Sequence, residues 1–234
     1  DTDNFHFRKM VEMTDAFIEA GRDTFIVGHT DFHPGGDALA AFRDPQAFCI
    51  DMIEHPAEVK KLLCRITKDF LWVYVFFYEK LSNAGMPSTT WLPAVANGKY
   101  HVPSNDFSCM VSDEIFTELF LPEIIQECRH MDRCIYHLDG PDALRFLDYL
   151  LEVPEIDAIQ WLPGAAREDW KQWVEVYQRI QKAGKALCLT EPAGDLDKLM
   201  ETLNPEGVWV TVSEVPDQER AEKVLQRIST WEAK

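Results

Sequence analysis

The sequence predicts an α/β fold of parallel strands covered by helices, of the TIM (β/α)8-barrel type, and three observations carry that prediction. Short apolar, β-prone runs alternate with stretches of helical periodicity six times along the chain. The apolar content of 46%, with 12% aromatic residues, is ample for a substantial core in one domain spanning residues 1–234. The third observation is chemical. Polar, metal-capable or acid–base residues stand at the ends of the apolar runs TFIVGHTDFH, YHVPSNDF, CIYHLDG, IDAIQWLPG, ALCLTEP and GVWVTVSE. Parallel strands put their C-terminal ends on one rim. That arrangement turns His29, Asp31, His33, Asn105, Asp106, His137, Asp139, Gln160, Trp161, Glu191 and Glu214 toward one cavity.

The elements follow in order. Phe5, Phe7, Met10, Val11, Met13, Phe17 and Ile18 recur at helical spacing over residues 4–20, and Gly21 supplies a stop. Residues 24–28 read as a strand, ending in the loop HTDFHPGGD. Asp44-Pro45 starts a helix to about residue 54, and Pro56 a longer one to residue 83. Residues 91–95 and 100–103 flank Asn97-Gly98, a hairpin signal. Ser112 reads as the N-cap of a helix to about residue 130. Thereafter strands at 134–138, 156–160, 186–189 and 208–212 precede helices at 141–152, 168–183, 196–203 and 217–231. A closed barrel needs two more strands and usually takes about 250 residues. The count therefore predicts a barrel lacking its N-terminal strands, missing from this chain or removed from a longer parent, and a first residue of Asp in place of Met agrees. An open doubly wound sheet of six strands is the alternative. No GxGxxG or GxxxxGK[ST] loop is present, which weighs against a dinucleotide or nucleoside triphosphate site of the usual kind.

Forty acidic against twenty-three basic residues give a formal charge of −17, which disfavours nucleic acid and anionic lipid as partners. No apolar run is long enough to span a bilayer. Six scattered cysteines without a CxxC pair read as free thiols of a cytoplasmic protein. The aromatic run from Phe70 to Tyr78 predicts a helix buried against the barrel or a partner subunit, compatible with a homodimer.

Two spacings bear on chemistry. His137 and Asp139 lie two apart at a strand end, a metal pair if the strand continues; otherwise His137 bonds a neighbouring strand and Asp139 caps a helix at Pro141. His29, Asp31 and His33 form an H-x-D-x-H string, which on extended backbone shares one side and suits metal binding or acid–base work. Asp106 orients substrate or caps a turn. Asn105, Gln160 and Trp161 are candidate substrate contacts, Gln160 through its amide and Trp161 as a flat apolar wall, with core packing the competing role for Trp161. Glu191 and Glu214 are placed to complete a metal site, or else are solvated loop acids.

The runs DFSCMVSDEIFTELFLPEI, IYHLDGPDALRFLDYLLEVPEIDAIQWLPG and YQRIQKAGKAL resemble the uroporphyrinogen decarboxylase superfamily, and DFHPGGDALAAFRDPQAFCIDMIEHPAEVKKLL fits its early barrel region. That superfamily comprises decarboxylases of the haem pathway and zinc-dependent methyltransferases that move methyl groups to or from corrinoid proteins. The resemblance spans residues 25–212 and implies a (β/α)8 barrel with its active site at the strand C-termini. It also implies a zinc set with a His-x-Cys pair, where this chain has His137-Leu138-Asp139, and a second Cys near the last strand, where it has Thr211, Ser213 and Glu214. The expected metal set is therefore His137, Asp139 and Glu214, an N/O set that holds zinc or harder ions such as Mn2+ or Fe2+ less selectively than thiolates do. The expected catalytic residues are His29, Asp31, His33, Asp106 and His137. The resemblance thus points to a metal-assisted, methyltransferase-like enzyme acting on a small methylated substrate, with a corrinoid supplied by a partner protein. Its alternatives are a uroporphyrinogen-type carboxy-lyase, whose carboxylate-gripping arginines and acidic residue would lie upstream of Asp1, with Arg43, Arg145 and Arg167 near rim loops but in no family motif, and a noncatalytic corrinoid or tetrapyrrole binder.

Overall fold

The computed structural model of the chain describes residues 2–164 and 169–232, and divides it into two compact units. Asp1–Pro103 with Pro122–Cys134 form the first, Ser104–Leu121 with Ile135–Lys234 the second.

The first unit is mainly helical. α1 (Phe5–Gly21) begins where the Asn4 side chain accepts hydrogen bonds from the amides of His6 and Phe7. α2 (Gly35–Arg43) leads through Asp44 into α3 (Pro45–Glu54), and α4 (Pro56–Asn83) follows with Pro56 in its first turn. Along α4 the buried positions Val59, Leu63, Thr67, Phe70, Leu71, Tyr74, Phe77 and Leu81 recur every three or four residues and make one apolar stripe. Phe7 of α1 packs against Trp72, Phe76 and Phe77, so the aromatic run is an internal helix–helix seam. Phe70, Leu71 and Tyr74 form a core with Phe32, Val75, Tyr78 and Met131. The Tyr74 hydroxyl donates to the Tyr100 carbonyl at 2.8 Å, tying α4 to β1 (Tyr100–His101), which pairs in parallel with Arg133 and Cys134 at the start of β2 (Arg133–Asp139).

Asp44 joins α2 to α3 at φ 82 while its carboxylate accepts from the amides of Gln46 and Ala47. Asp44→Ala should lower stability by roughly 1–2 kcal/mol, because the cap is lost and a Cβ residue without a polar anchor is held at positive φ. Asp44→Asn should restore most of it in urea unfolding.

Three expectations are corrected here. Residues 24–28 form no strand: Thr24 and Phe25 bond back to the Gly21 carbonyl as a turn, and Phe25 and Ile26 are each 48% exposed. No hairpin forms at Asn97-Gly98. Ser88 and Ala96 make a single antiparallel bridge, and Gly98 lets Asp132 approach closely, since a Cβ there would stand 2.7 Å from its carboxylate oxygen and 3.1 Å from its Cβ. The expected loop at Pro34-Gly35-Gly36 instead opens α2.

In the second unit a 3-10 turn (Asp106–Met110) precedes α5 (Asp113–Ile115), capped by Ser112. The helix expected to run unbroken to residue 130 widens into a π turn over Phe116–Phe120 before α6 (Leu121–Arg129). Pro122 explains the position: it has no N–H for the carbonyl of Glu118, and the Leu121 amide reaches back five residues to Phe116. β2 is followed by α7 (Leu147–Leu151), β3 (Ala158–Leu162), α8 (Val174–Lys182), β4 (Ala186–Pro192), α9 (Leu196–Thr202), β5 (Val208–Ser213) and α10 (Gln218–Ser229). 3-10 turns over Leu144–Phe146 and Trp170–Trp173 replace the first turns expected of α7 and α8; the expected α8 start at Glu168 lies outside the described residues.

The strands make a five-strand parallel sheet in the order β1-β2-β3-β4-β5, each paired with its neighbour in sequence. A doubly wound sheet needs a reversal of strand order, and none occurs among the described residues. His137 pairs with Gln160 and Gln160 with Cys188, so these three side chains share one face. Trp161, Leu189 and Glu191 alternate onto the other, where Val212 packs on a cluster of Leu196, Met200 and Val224 from α9 and α10. No helix among the described residues is long and apolar enough to cross a membrane.

Candidate functional site

The second unit concentrates acid–base and ligating groups at the C-terminal end of β2. His137 and Asp139 are two residues apart in continuous strand, hence on one face. Ser104 bridges in parallel to His137, which brings the 3-10 turn at Asp106 alongside. One ligand atom each from Asp106, His137 and Asp139 lies within 4.8 Å of the others; the imidazole is half-buried and both carboxylates are exposed. The His137 Nδ1–H donates to the Gln160 Oε1 at 2.7 Å. An amide oxygen only accepts, so Nδ1 carries the proton of this bond, and Nε2 is the nitrogen left to serve as a ligand atom. Arg145 holds the adjoining turn, donating to the carbonyls of Cys109 and Val111 and pairing with Asp113. One imidazole and two carboxylates of this kind suit a divalent cation with positions left open for substrate.

The group that converges differs from the expected set in one member. Asp106 lies beside His137 and Asp139, whereas Glu214 is exposed at φ 56 after β5 and joins no such group among the described residues. Asp139 is not a helix cap, because the chain does not enter a helix at Pro141. Gln160 is 8% exposed and serves as the hydrogen-bond partner of His137. Asn105 is 5% exposed, and its Oδ1 has no partner among the described residues. Trp161 is 1% exposed and packs edge-on against Trp173 at 5.1 Å, on the helix side and off the face of Gln160. Glu191 lies on that side too. The Tyr177 hydroxyl donates to one of its oxygens at 3.4 Å, the other has no partner among the described residues, and burial pushes the carboxyl up to about 7. Arg43 pairs with Asp51, and Arg167 lies outside the described residues.

In the first unit the H-x-D-x-H string does not act as one set. His33 Nε2 pairs with Asp31 Oδ1 at 2.8 Å near the surface, whereas His29 turns inward and lies flat on Tyr74, centroids 4.8 Å apart at 3°. Burial pushes His29 down to about 4. A pair not anticipated from the sequence is His101 with Glu127, both buried and 3.4 Å apart. Burial drives His101 down to about 3 and holds Glu127 well above the usual carboxylate range. Glu127 on an amphipathic helix reads as a solvated acid, and no spacing marks it otherwise. The six cysteines are free thiols, with Cys188 pushed up to about 12 by burial. Compared with known proteins, the chain matches no family model, no curated protein and no solved structure.

Proposed function

We propose that the second unit carries a divalent-metal centre held by Asp106, His137 and Asp139, in a methyltransferase-like enzyme of the uroporphyrinogen decarboxylase superfamily. The observation that carries the reading is the convergence of these three ligand atoms within 4.8 Å, with His137 oriented by Gln160. The neighbour-to-neighbour strand order supports a (β/α)8-type barrel, and the free cysteines without a CxxC pair support a cytoplasmic setting. A bound divalent ion supplies Lewis acidity toward an oxygen, nitrogen or sulfur atom of a small methylated substrate. The chain's own part is positional: Gln160 fixes the ring tautomer, Arg145 holds the turn that bears Asp106, and the two carboxylates balance the charge of the ion. A corrinoid on a partner protein would exchange the methyl group. The carboxy-lyase reading is less well supported, because Arg43 is engaged by Asp51 and Arg145 by backbone carbonyls and Asp113.

The test is metal content after purification without chelator. Stoichiometric metal is expected in the wild type and none in His137→Ala with unchanged circular dichroism; Gln160→Ala should weaken binding about 10–100-fold. Metal retained by folded His137→Ala would remove the assignment. Cobalamin and a methyl-donor panel then test turnover, and metal without methyl transfer would move the reading to a binding role.

A further inference from the structure

The strand register carries the face that bears His137 and Asp139 across the rest of the sheet in the second unit. Parallel partners point their side chains to the same side, and alternate residues of a strand share a face. His137 pairs with Gln160, Gln160 with Cys188 and Cys188 with Trp209, which makes one row on that face. In the next row toward the strand ends stand Asp139 with its partner Leu162, and Thr190 with its partner Thr211. Gln160 and Cys188 are buried and Trp209 is half-buried, whereas Asp139, Thr190 and Thr211 are exposed. Two threonine hydroxyls thus lie side by side at the rim that bears the metal triad, with an indole in the row beneath them.

Three features set the chemistry of this end of the face. Neighbouring strands are about 4.8 Å apart, so β4 and β5 lie roughly 10 and 14 Å from β2 along the sheet, beyond the reach of a group bound at the metal alone. Leu162 and Trp209 supply apolar surface between the two ends. No residue that β4 or β5 places on this face is charged, since Glu191 points the other way, and a hydroxyl both donates and accepts. We propose that Thr190 and Thr211 bind the uncharged, hydroxyl-bearing far end of the substrate whose near end meets the metal, and so select its length and polarity. This assignment rests on the metal-centre reading and deepens it.

The experiment loads the full chain with Co2+ and follows its visible absorption during titration with hydroxamic acids, which chelate the ion through a common head. Acetohydroxamate probes the metal alone, octanohydroxamate adds an alkyl chain, and its ω-hydroxy, ω-carboxy and ω-amino derivatives add a terminal group. The terminal hydroxyl is expected to tighten binding about three- to tenfold over the plain alkyl chain, the size of one hydrogen bond, and to bind more tightly than either charged end. Thr190→Val and Thr211→Val keep the branched shape and remove the hydroxyl. Each should lose most of that advantage and leave acetohydroxamate binding unchanged. The wild-type comparison of probes decides on its own if the variants do not fold. No advantage of the hydroxyl over the alkyl end overturns the proposal and leaves the metal centre in place. So does equal or tighter binding of a charged end, or an undiminished advantage in both folded variants. No Co2+ band and no response to acetohydroxamate would remove the metal centre, and this proposal with it.

Discussion

Glu191→Gln is expected to raise the stability of the protein by about 3 kcal/mol near pH 8.5 and to leave it unchanged near pH 4. The native carboxyl is held at about 7 against an ordinary 4.5, burial being the main cause and the charges of Asp195 and Asp169 adding to it. Below 4.5 both native and unfolded forms carry the proton, so ionisation contributes nothing. Between 4.5 and 7 the unfolded chain releases its proton while the native protein retains it, and stability falls as pH rises. Above 7 the full cost of ionising a carboxyl that is 3% exposed is present. Glutamine removes the ionisation and keeps an oxygen for the Tyr177 hydroxyl. Urea unfolding at the two pH values measures the difference; an equal effect at both would show that the carboxyl is not held neutral by burial.

Phe116→Ala is expected to cost about 3–5 kcal/mol, the range for truncating a fully buried aromatic ring. Phe116 is 0% exposed and stacks on Phe146, also 0% exposed, with centroids 4.1 Å apart at 17°. It is also the first residue of the π turn, and its carbonyl accepts from Leu121. A cycle with Phe146→Ala should leave a coupling of about 0.5–1.5 kcal/mol beyond lost burial. The loss should reach the proposed metal site as well. The Arg145 guanidinium lies 4.7 Å over the Phe146 ring and holds the turn that begins at Asp106, so a displaced Phe146 loosens one of the three ligands. A lower urea midpoint with unchanged slope, together with weaker metal retention, is the expected pair of results; stability lost with metal affinity intact would detach Arg145 from that role.

Elements with strong local signals were legible in the sequence. α3 and α4 begin at Pro45 and Pro56, where proline fixes the first helical φ, and β2 to β5 coincide with apolar β-prone runs between turn residues. What failed depended on partners distant in sequence. Residues 24–28 have strand composition but no ladder partner among the described residues, and composition alone does not disclose one. Gly98 resembles a turn glycine, yet its role is close approach to Asp132, remote in the chain. The pair His137 and Asp139 was readable because period-two spacing is local. Asp106 was legible as a rim residue, but its convergence with that pair came from the Ser104 bridge. Trp161 and Glu191 stand one residue of alternation from a rim position and face the helices, Trp161 in the packing role that the sequence also offered it.

The uninterrupted strand order bears on how the second unit is made during synthesis. Ile135 meets Ala158, Ala158 meets Ala186, and Leu187 meets Val208, so each arriving strand finds its partner already laid down by the preceding β-α repeat. No place has to be kept open for a strand not yet translated. The sheet can lengthen at one edge as the chain leaves the ribosome, which shortens the time for which an unpaired apolar strand is available to another molecule.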